Sequence, residues 1–228
     1  MTELPTTGFA GHRGLGWSLL ARWLIPFVMT TAYVILAVTS ETDRTGQAWM
    51  AVGLAFVFVL WWLFVILTEH AAMARAVAVG DAERLAELAD LQLARRRRVP
   101  ARARYLVYRA LAHDMRGDWV AALATLDDAR LDAVAERWRA LAACVRVHAL
   151  VETRDVTQAR AILDRDLLPV VATLDRRLHV DVILFATVVH AAVVRAEGNP
   201  ADAAPLLARV IDDVRADAWT RALAKTYS

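Results

Sequence analysis

Cysteine and lysine are almost absent from this sequence. Its 228 residues include one cysteine, Cys144, and one lysine, Lys225, and the other 26 of the 27 basic residues are arginines. A single cysteine excludes an intramolecular disulfide and a metal cluster held by several thiolates. The preference for arginine, together with abundant alanine, indicates a GC-rich bacterial genome rather than special arginine chemistry.

Catalytic and nucleotide-binding signatures are also missing. The sequence contains no GxxxxGK[ST], GxGxxG, HExxH or GxSxG segment, and its six histidines are scattered without further metal ligands nearby. His113 beside Asp114, and His148 near Cys144, lack the glycine-rich turn that an oxyanion site would need. We therefore predict a protein that is not an enzyme and that holds no metal and no cofactor.

Charge is missing from two long stretches, residues 23–38 and 48–68. Hydrophobic residues make up 58% of the chain, more than in ordinary soluble domains, and most of the excess lies in these stretches. A bilayer core about 30 Å thick needs roughly 20 apolar residues in a helix. We predict an N-terminal cytoplasmic segment, residues 1–16, and a transmembrane hairpin, residues 17–68, whose spans are residues 17–39 and 48–68.

The arginines outside the spans predict the orientation of this hairpin. The short connection between the spans contains only Arg44, whereas Arg13 precedes the first span and Arg75 and Arg84 follow the second. By the positive-inside rule both termini face the cytoplasm, in a multi-pass protein of a bacterial inner membrane. A cleaved signal peptide is the competing interpretation of the first span, and it is less favoured because the apolar stretch is long.

The spans themselves contain no Asp, Glu, His or Lys. Ionisable groups inside the bilayer are what ion pathways, proton relays and haem ligation by histidine usually require. Their absence from the sequence of both spans argues against a transporter or a haem site in the hairpin.

The rest of the chain, residues 69–228, has apolar residues at helical spacing and no strand-like alternation. Short turn signals interrupt this pattern, and their separations of 37, 37 and 44 residues suit a stack of helix pairs. We therefore expect an all-α domain. The turn signals are Gly80-Asp81, Gly117-Asp118, Arg154-Asp155 and Gly198-Asn199.

A small and a large residue recur at fixed positions after the last three turns. An alanine lies five residues beyond the start of each turn and a leucine nine residues beyond it, which places a small side chain where two helices approach closely and a large one a turn later. The alanines are Ala122, Ala159 and Ala203, and the leucines are Leu126, Leu163 and Leu207.

This spacing, with the small residues Ala110 and Ala191 seven positions before a turn, resembles the tetratricopeptide repeat (TPR) over about residues 105–214. The resemblance implies that the hairpin is followed by a cytoplasmic α-helical repeat domain, a TPR-like solenoid, over residues 69–228. Such a stack presents an extended concave surface for binding other proteins.

Basic charge is concentrated at one place in this domain. Residues 95–116 contain eight arginines and one acid, whereas residues 117–228 contain 14 basic and 16 acidic residues. A helix that continues from the second span to residue 79 rises roughly 16 Å, and a helix over residues 82–98 then returns by about 25 Å. We therefore predict that four arginines contact anionic lipid headgroups: Arg95, Arg96, Arg97 and Arg98.

Other interpretations of the four arginines remain open. A solvated basic face and docking to an acidic partner both agree with the pattern. Nucleic-acid binding is least favoured, because no aromatic stacking platform accompanies the arginines, and we predict no nucleic-acid partner.

These observations favour a membrane-anchored scaffold or adapter that mediates protein–protein interaction through the TPR-like domain. The alternative is a non-catalytic accessory subunit of a large integral membrane complex, such as an energy-transducing, photosynthetic or secretion complex. In that case the hairpin makes the main contacts, and the residues predicted to face the membrane partner are Phe56, Phe58, Trp61 and Trp62.

Overall fold

The computed structural model of this protein describes Thr31 and residues 44–228, and these residues are all-helical, without a strand. The chain divides into two units, Met1–Ala71 and Ala72–Ser228. The predicted N-terminal segment, residues 1–16, and the first predicted span, residues 17–39, lie outside the described residues except for Thr31.

Helix α1 (Arg44–Val79) begins four residues before the predicted start of the second span. A helix satisfies its own backbone hydrogen bonds, so it can extend past the apolar stretch at no cost in unpaired polar groups. Among the described residues one helix, Ala51–Val79, is long and apolar enough to cross a membrane.

Large apolar side chains of the first unit are exposed along α1. The exposed set begins at residue 52 and ends at residue 67, before the unit boundary. It consists of Val52, Phe56, Val57, Phe58, Val59, Leu60, Trp62, Leu63, Phe64 and Leu67.

The second unit takes the last turns of α1, from residue 72, and nine further helices among the residues that the structure describes. A 3₁₀ turn, Leu131–Ala133, and a π-helical segment, Leu163–Leu167, complete it. The helices are α2 (Ala82–Arg95), α3 (Val99–Met115), α4 (Trp119–Asp127), α5 (Glu136–Glu152), α6 (Val156–Ile162), α7 (Leu168–Thr173), α8 (Val180–Ala196), α9 (Pro200–Asp212) and α10 (Ala218–Tyr227).

All four predicted turn signals are confirmed as turns with one shared geometry. Each places a residue with positive φ after a helix, and the next residue donates its N–H to a carbonyl five positions back, as in Asp118 N to His113 O at 2.9 Å. Three of these positions are glycine, which adopts positive φ without steric cost. The fourth is Arg154, with φ 66°.

The residue after each positive-φ position caps the next helix. The side chains of Asp81, Asp118 and Asp155 each accept a hydrogen bond from the main-chain N–H three residues on, at 2.9, 3.4 and 3.1 Å. Asn199 occupies the same place before α9 but makes no such side-chain bond. These turns therefore end one helix and start the next by local chemistry.

The recurring small and large residues after the turns lie in the core. The three alanines and three leucines of the pattern are each 1% exposed or less. The longer helices α3, α5 and α8 contact one another in sequence, α4 contacts both α3 and α5, and α6 contacts both α5 and α8. The small residue thus lies where a second helix meets its neighbours, as the spacing predicted.

Helix α2 ends earlier than the sequence predicted. It stops at Arg95 rather than near residue 98, and Arg96 is extended. Pro100 lies in the first turn of α3, where its missing N–H needs no partner, so a new helix starts there. Arg102 Nη1 of α3 donates to the main-chain carbonyl of Leu93 at 3.2 Å and so links α3 to the end of α2.

Candidate functional site

The four predicted arginines lie together on the surface where α2 ends and α3 begins. Arg95 is in the last turn of α2, Arg96 and Arg97 form the connection, and Arg98 is the N-cap residue of α3. All four are exposed, and they line one shallow depression together with Arg104. The structure therefore brings the four together and adds Arg104, which the sequence prediction missed.

These arginines differ in pairing from Arg109, farther along α3. Arg109 Nε lies 3.2 Å from Asp90 Oδ1 of α2. Within the described part of the chain, no carboxylate oxygen lies within 4 Å of a side-chain nitrogen of Arg95, Arg97 or Arg98. Their positive charge is therefore not neutralised by the residues that the structure describes and is available to another anion.

The four aromatic residues predicted to contact a membrane partner do not share one face of α1. Phe58 and Trp61 have ring centroids 6.1 Å apart, and Trp62 lies beside them. Phe56 precedes Phe58 by two residues, or roughly 200° around a helix, and so lies on the other side. Because α1 is apolar around its whole circumference here, the segment has no polar side that could face water.

A cavity lies among the longer helices of the second unit. It has a volume of about 190 Å³ and lies between the end of α1, α3, α5, α8 and the start of α10. We call it the inner cavity. Its wall is mainly apolar and includes Ala74, Val77, Ala78, Tyr108, Leu111, Leu141, Val182, Phe185, Trp219 and Thr220.

Charged side chains line the edge of the inner cavity. Arg137 Nη2 lies 2.7 Å from Asp181 Oδ2, and the guanidinium also lies over the Trp138 ring, 5.4 Å from its centroid. Burial raises the pKa of the Asp217 carboxyl, although the N–H and hydroxyl of Thr220 donate to it. The arrangement offers an apolar socket with polar groups at its rim, which suits binding of a side chain.

Two ionisable residues, Asp114 and His148, are buried between α3 and α5. They are 3% and 5% exposed, and His148 Nδ1 lies 2.8 Å from both carboxylate oxygens of Asp114. His148 Nε2 lies 3.9 Å from Glu152 Oε1, and the Tyr227 hydroxyl donates to the same Glu152 oxygen. These four side chains form one polar chain from α3 to α10.

Burial and charge act in opposite directions on this pair. Burial alone would lower the pKa of His148, but the Asp114 carboxylate and the Glu152 charge raise it above its ordinary value. Burial raises the pKa of Asp114, and His148 partly offsets that rise. The carboxyl groups of Asp114 and Glu152 therefore favour the protonated form of the His148 imidazole.

The sequence did not predict this pair. It considered His113 with Asp114, and His148 with Cys144, whereas the structure pairs Asp114 with His148. Both members fall on the buried stripes of their helices, and a buried polar group requires a partner, which is the signal that could have joined them. Burial raises the pKa of the Cys144 thiol, which therefore stays protonated and unreactive.

Comparison with known proteins yields no match of any of the three kinds sought. No family model matches this chain, no curated protein matches it, and no solved structure matches it. What the chain does is therefore inferred from its own residues and their geometry.

Proposed function

We propose that this protein is a membrane-tethered interaction module, in which a two-helix transmembrane hairpin holds a TPR-like helical domain at the cytoplasmic face of a bacterial inner membrane. The observation that carries the proposal is the combination of two regions in one chain. One is a helix whose large apolar side chains are exposed on every side, and the other is a stack of capped helix pairs with its own core.

The exposed apolar part of α1 supports membrane anchoring by its energetic cost. Ten large apolar side chains are exposed between residues 52 and 67. Removing each from water is worth roughly 1.5 kcal/mol or more, so the set amounts to about 15 kcal/mol. That is as large as the whole stability of a typical domain, and a bilayer supplies the apolar environment that the segment needs.

The second unit supports the interaction part of the proposal. Its four turns share one geometry, its small and large residues recur in phase, and the longer helices α3, α5 and α8 lie side by side around the inner cavity. Stacked helix pairs with this organisation bind partners along the surface of one helix of each pair. A tether to the membrane raises the effective concentration of such a module near partners in the bilayer.

The arginines at the connection between α2 and α3 give the module a second contact. Arg95, Arg97 and Arg98 are exposed and are not neutralised within the described part of the chain. We propose that they and Arg96 contact anionic lipid headgroups, each worth about 1 kcal/mol near a charged surface.

Trypsin, which cleaves after arginine, tests the lipid contact directly. The full chain is placed in nanodiscs of anionic or zwitterionic lipid, and cleavage between residues 95 and 98 is followed by mass spectrometry. We expect slower cleavage in anionic nanodiscs, and no change in cleavage after the exposed control residues Arg176 and Arg177. Equal cleavage at residues 95–98 in both lipids contradicts the contact.

A second candidate function, an accessory subunit of a large membrane complex, is favoured by one observation. Phe58, Trp61 and Trp62 form an aromatic group on one side of α1, and such a group can pack against a neighbouring transmembrane helix. In this case α1, rather than the helical domain, makes the main contact.

Purification from mild detergent separates the two candidates. The full chain and a variant with Phe58, Trp61 and Trp62 changed to Leu are purified from the native membrane, and bound proteins are quantified. The module predicts that a stoichiometric partner stays bound to the leucine variant, whereas the subunit predicts its loss. A matched control changes Val52 and Val59 to Leu, which keeps the apolar character and leaves the aromatic group intact.

A further inference from the structure

The final helix of the second unit carries an aromatic–leucine–aromatic stripe. Trp219, Leu223 and Tyr227 follow one another at intervals of four residues and so lie on one face of α10. The Trp219 ring meets Phe185 of α8 edge to face, with centroids 4.9 Å apart. The buried residues of the second unit form two hydrophobic clusters, and Leu223 packs against both.

The other end of the stripe is bound by polar groups. The Tyr227 ring meets His148 of α5 with centroids 6.0 Å apart, and its hydroxyl donates to Glu152. Arg195 Nη1 of α8 donates to the main-chain carbonyls of Tyr227 and Ser228, the latter at 2.9 Å. A guanidinium in this position satisfies carbonyls that have no partner at a helix C-terminus.

Helix α10 contributes little to the core that it covers. Ten residues are buried in α5 and ten in α8, but only Thr220 and Ala224 are buried in α10. A helix of ten residues is too short to persist alone in water, so its structure depends on the surface beneath it. The preceding segment includes Val214, which is 90% exposed. Helix α10 therefore contacts the rest of the unit through one face and through polar groups at its C-terminal end, as helical peptide ligands do.

The fit beneath α10 is incomplete at one place. Trp219 and Thr220 form part of the wall of the inner cavity, which remains open next to them with a volume of about 190 Å³. The cavity is partly open to solvent, so part of its apolar wall is in contact with water. A helix with a larger apolar side chain at the position of Thr220 would fill this space and would bind the same surface better than α10 does.

We infer that the face of α5 and α8 beneath α10 is the partner-binding surface of the module, and that α10 is its intramolecular occupant. We call it the helix-binding face and define it by His148, Glu152, Phe185 and Arg195. The partner is an amphipathic helix with an aromatic residue, a leucine and a tyrosine at positions i, i+4 and i+8, and a large apolar residue at i+1. The inference rests on the proposed function, because it names the partner and the regulation of that interaction module.

The inference explains why polar groups lie at one end of an otherwise apolar face. Glu152 accepts a hydrogen bond from a phenol, and Arg195 donates to the carbonyls at a helix end. Glu152 selects a helix with a tyrosine at this position, and the contacts at the two ends of the stripe set the direction of the helix parallel to α8. Until a partner competes, α10 keeps the face covered.

A disulfide that locks α10 in place gives the sharpest test. A Cβ built on Gly80 lies 3.7 Å from Trp219 Cβ, within the range for disulfides. The variant Gly80→Cys/Trp219→Cys therefore forms a reversible bond between the turn after α1 and the start of α10. The cysteine at position 80 adopts a φ of 81°, which costs about 1 kcal/mol in both redox states and so cancels from their comparison. The native Cys144 is buried and does not compete.

The probe is a fluorescein-labelled peptide of residues 216–228, with Thr220→Leu as a second probe. Binding to the full chain in nanodiscs is measured by fluorescence anisotropy. We expect the reduced variant to bind the peptide at least about tenfold more tightly than the oxidised variant, because α10 lacks Trp219 in both states and only the oxidised disulfide holds it in place. The Thr220→Leu peptide should bind more tightly than the native peptide.

A second variant keeps Trp219 and protects the test against misfolding of the first. Tyr227→Phe removes the hydrogen bond to Glu152, and the full chain should then bind the peptide about tenfold more tightly than the unchanged chain. Tyr105→Phe is the matched control, because Tyr105 is buried in α3 and should leave peptide binding unchanged.

The outcomes separate this inference from the proposed function. Formation of the disulfide with equal binding in the two redox states, or no gain with Tyr227→Phe, shows that α10 is a permanent part of the core, even if the chain is membrane-bound and retains a partner. Loss of membrane association contradicts the proposed function and leaves the peptide result to be judged separately.

Discussion

Helices α1 and α8 are both strongly apolar, but they differ in what covers them. Helix α8 buries ten of its seventeen residues within the second unit. In the first unit, α1 exposes ten large apolar side chains between residues 52 and 67. Apolar composition alone therefore does not identify the environment of a helix. What separates them is that the described residues bury most of α8 and leave the large apolar side chains of α1 exposed.

The largest expected effect comes from placing a charge in the covered helix. Val189→Asp in α8 should destabilise the second unit by about 5 kcal/mol, because the carboxylate would be buried without a partner. Urea unfolding followed by circular dichroism measures the change. Val214→Asp, at a residue that is 90% exposed, is the control and should leave the unfolding midpoint unchanged within error. Equal midpoints for the two variants would mean that α8 is not in the core.

Breaking the buried ion pair of the covered region should have the next largest effect. Asp114→Ala leaves the His148 imidazole buried without its carboxylate, at a cost of about 3–5 kcal/mol. The unfolding free energy in urea checks the prediction, with the exposed Asp128→Ala as the control. A loss as small as that of the control would show that the pair contributes nothing to stability.

The same pair predicts how stability depends on pH. The pKa of His148 is raised in the folded chain, so its stabilising contribution is complete below its ordinary value of 6.5 and is lost as the pH rises through the raised value. The raised pKa of Asp114 acts in the same direction at lower pH. Unfolding free energies measured below and well above 6.5 should therefore fall with pH. His148→Gln should flatten this dependence, and an unchanged slope would assign it to other groups.

A charge in the uncovered helix should act on membrane association instead of folding. Val59→Asp places a carboxylate in the exposed apolar part of α1, where insertion into a bilayer becomes less favourable by about 3 kcal/mol. The fraction of chain in the membrane pellet should fall, while protease resistance of residues 82–228 stays unchanged. Val79→Asp, at the exposed end of the same helix, should leave the pellet fraction as it is. An unchanged pellet fraction with lower protease resistance for Val59→Asp would show that α1, like α8, is needed for folding of the second unit.

The smallest expected effect concerns the repeated turns. Arg154 adopts a φ of 66°, where the other three turns have glycine. Arg154→Gly should raise stability by about 1 kcal/mol, because the left-handed conformation is costly for a residue with a Cβ. Thermal unfolding measures the gain. Arg176→Gly, in a turn without positive φ, should give no gain. An equal rise in unfolding temperature for both variants would show that the positive φ of Arg154 is not the cause.

Local features of this chain could be predicted from its sequence because their causes are local. Glycine at the positive-φ position fixes three of the turns and a capping Asp follows in three of them, and the alanine and leucine positions follow from the distance to the turn. The arginines at residues 95–98 are adjacent in sequence, so their grouping on one surface needed no knowledge of the fold.

Contacts between distant residues could not be predicted in the same way. Asp114 and His148 are 34 residues apart, and helical periodicity shows that each is buried without showing which partner each has. The position of α10 depends on how α5 and α8 pack, and the end of α2 at Arg95 depends on where α3 begins. The hairpin itself remains a prediction, because residues 17–39 lie outside the described part of the chain except for Thr31.

Membrane association of the unmodified full chain tests the central claim most directly. Cells that express the chain are broken without detergent, the membranes are washed with alkaline carbonate to release peripheral proteins, and the vesicles are floated through a density gradient. The account predicts that the chain floats with the lipid and is released only by detergent. Recovery of the folded chain in the carbonate supernatant would contradict it.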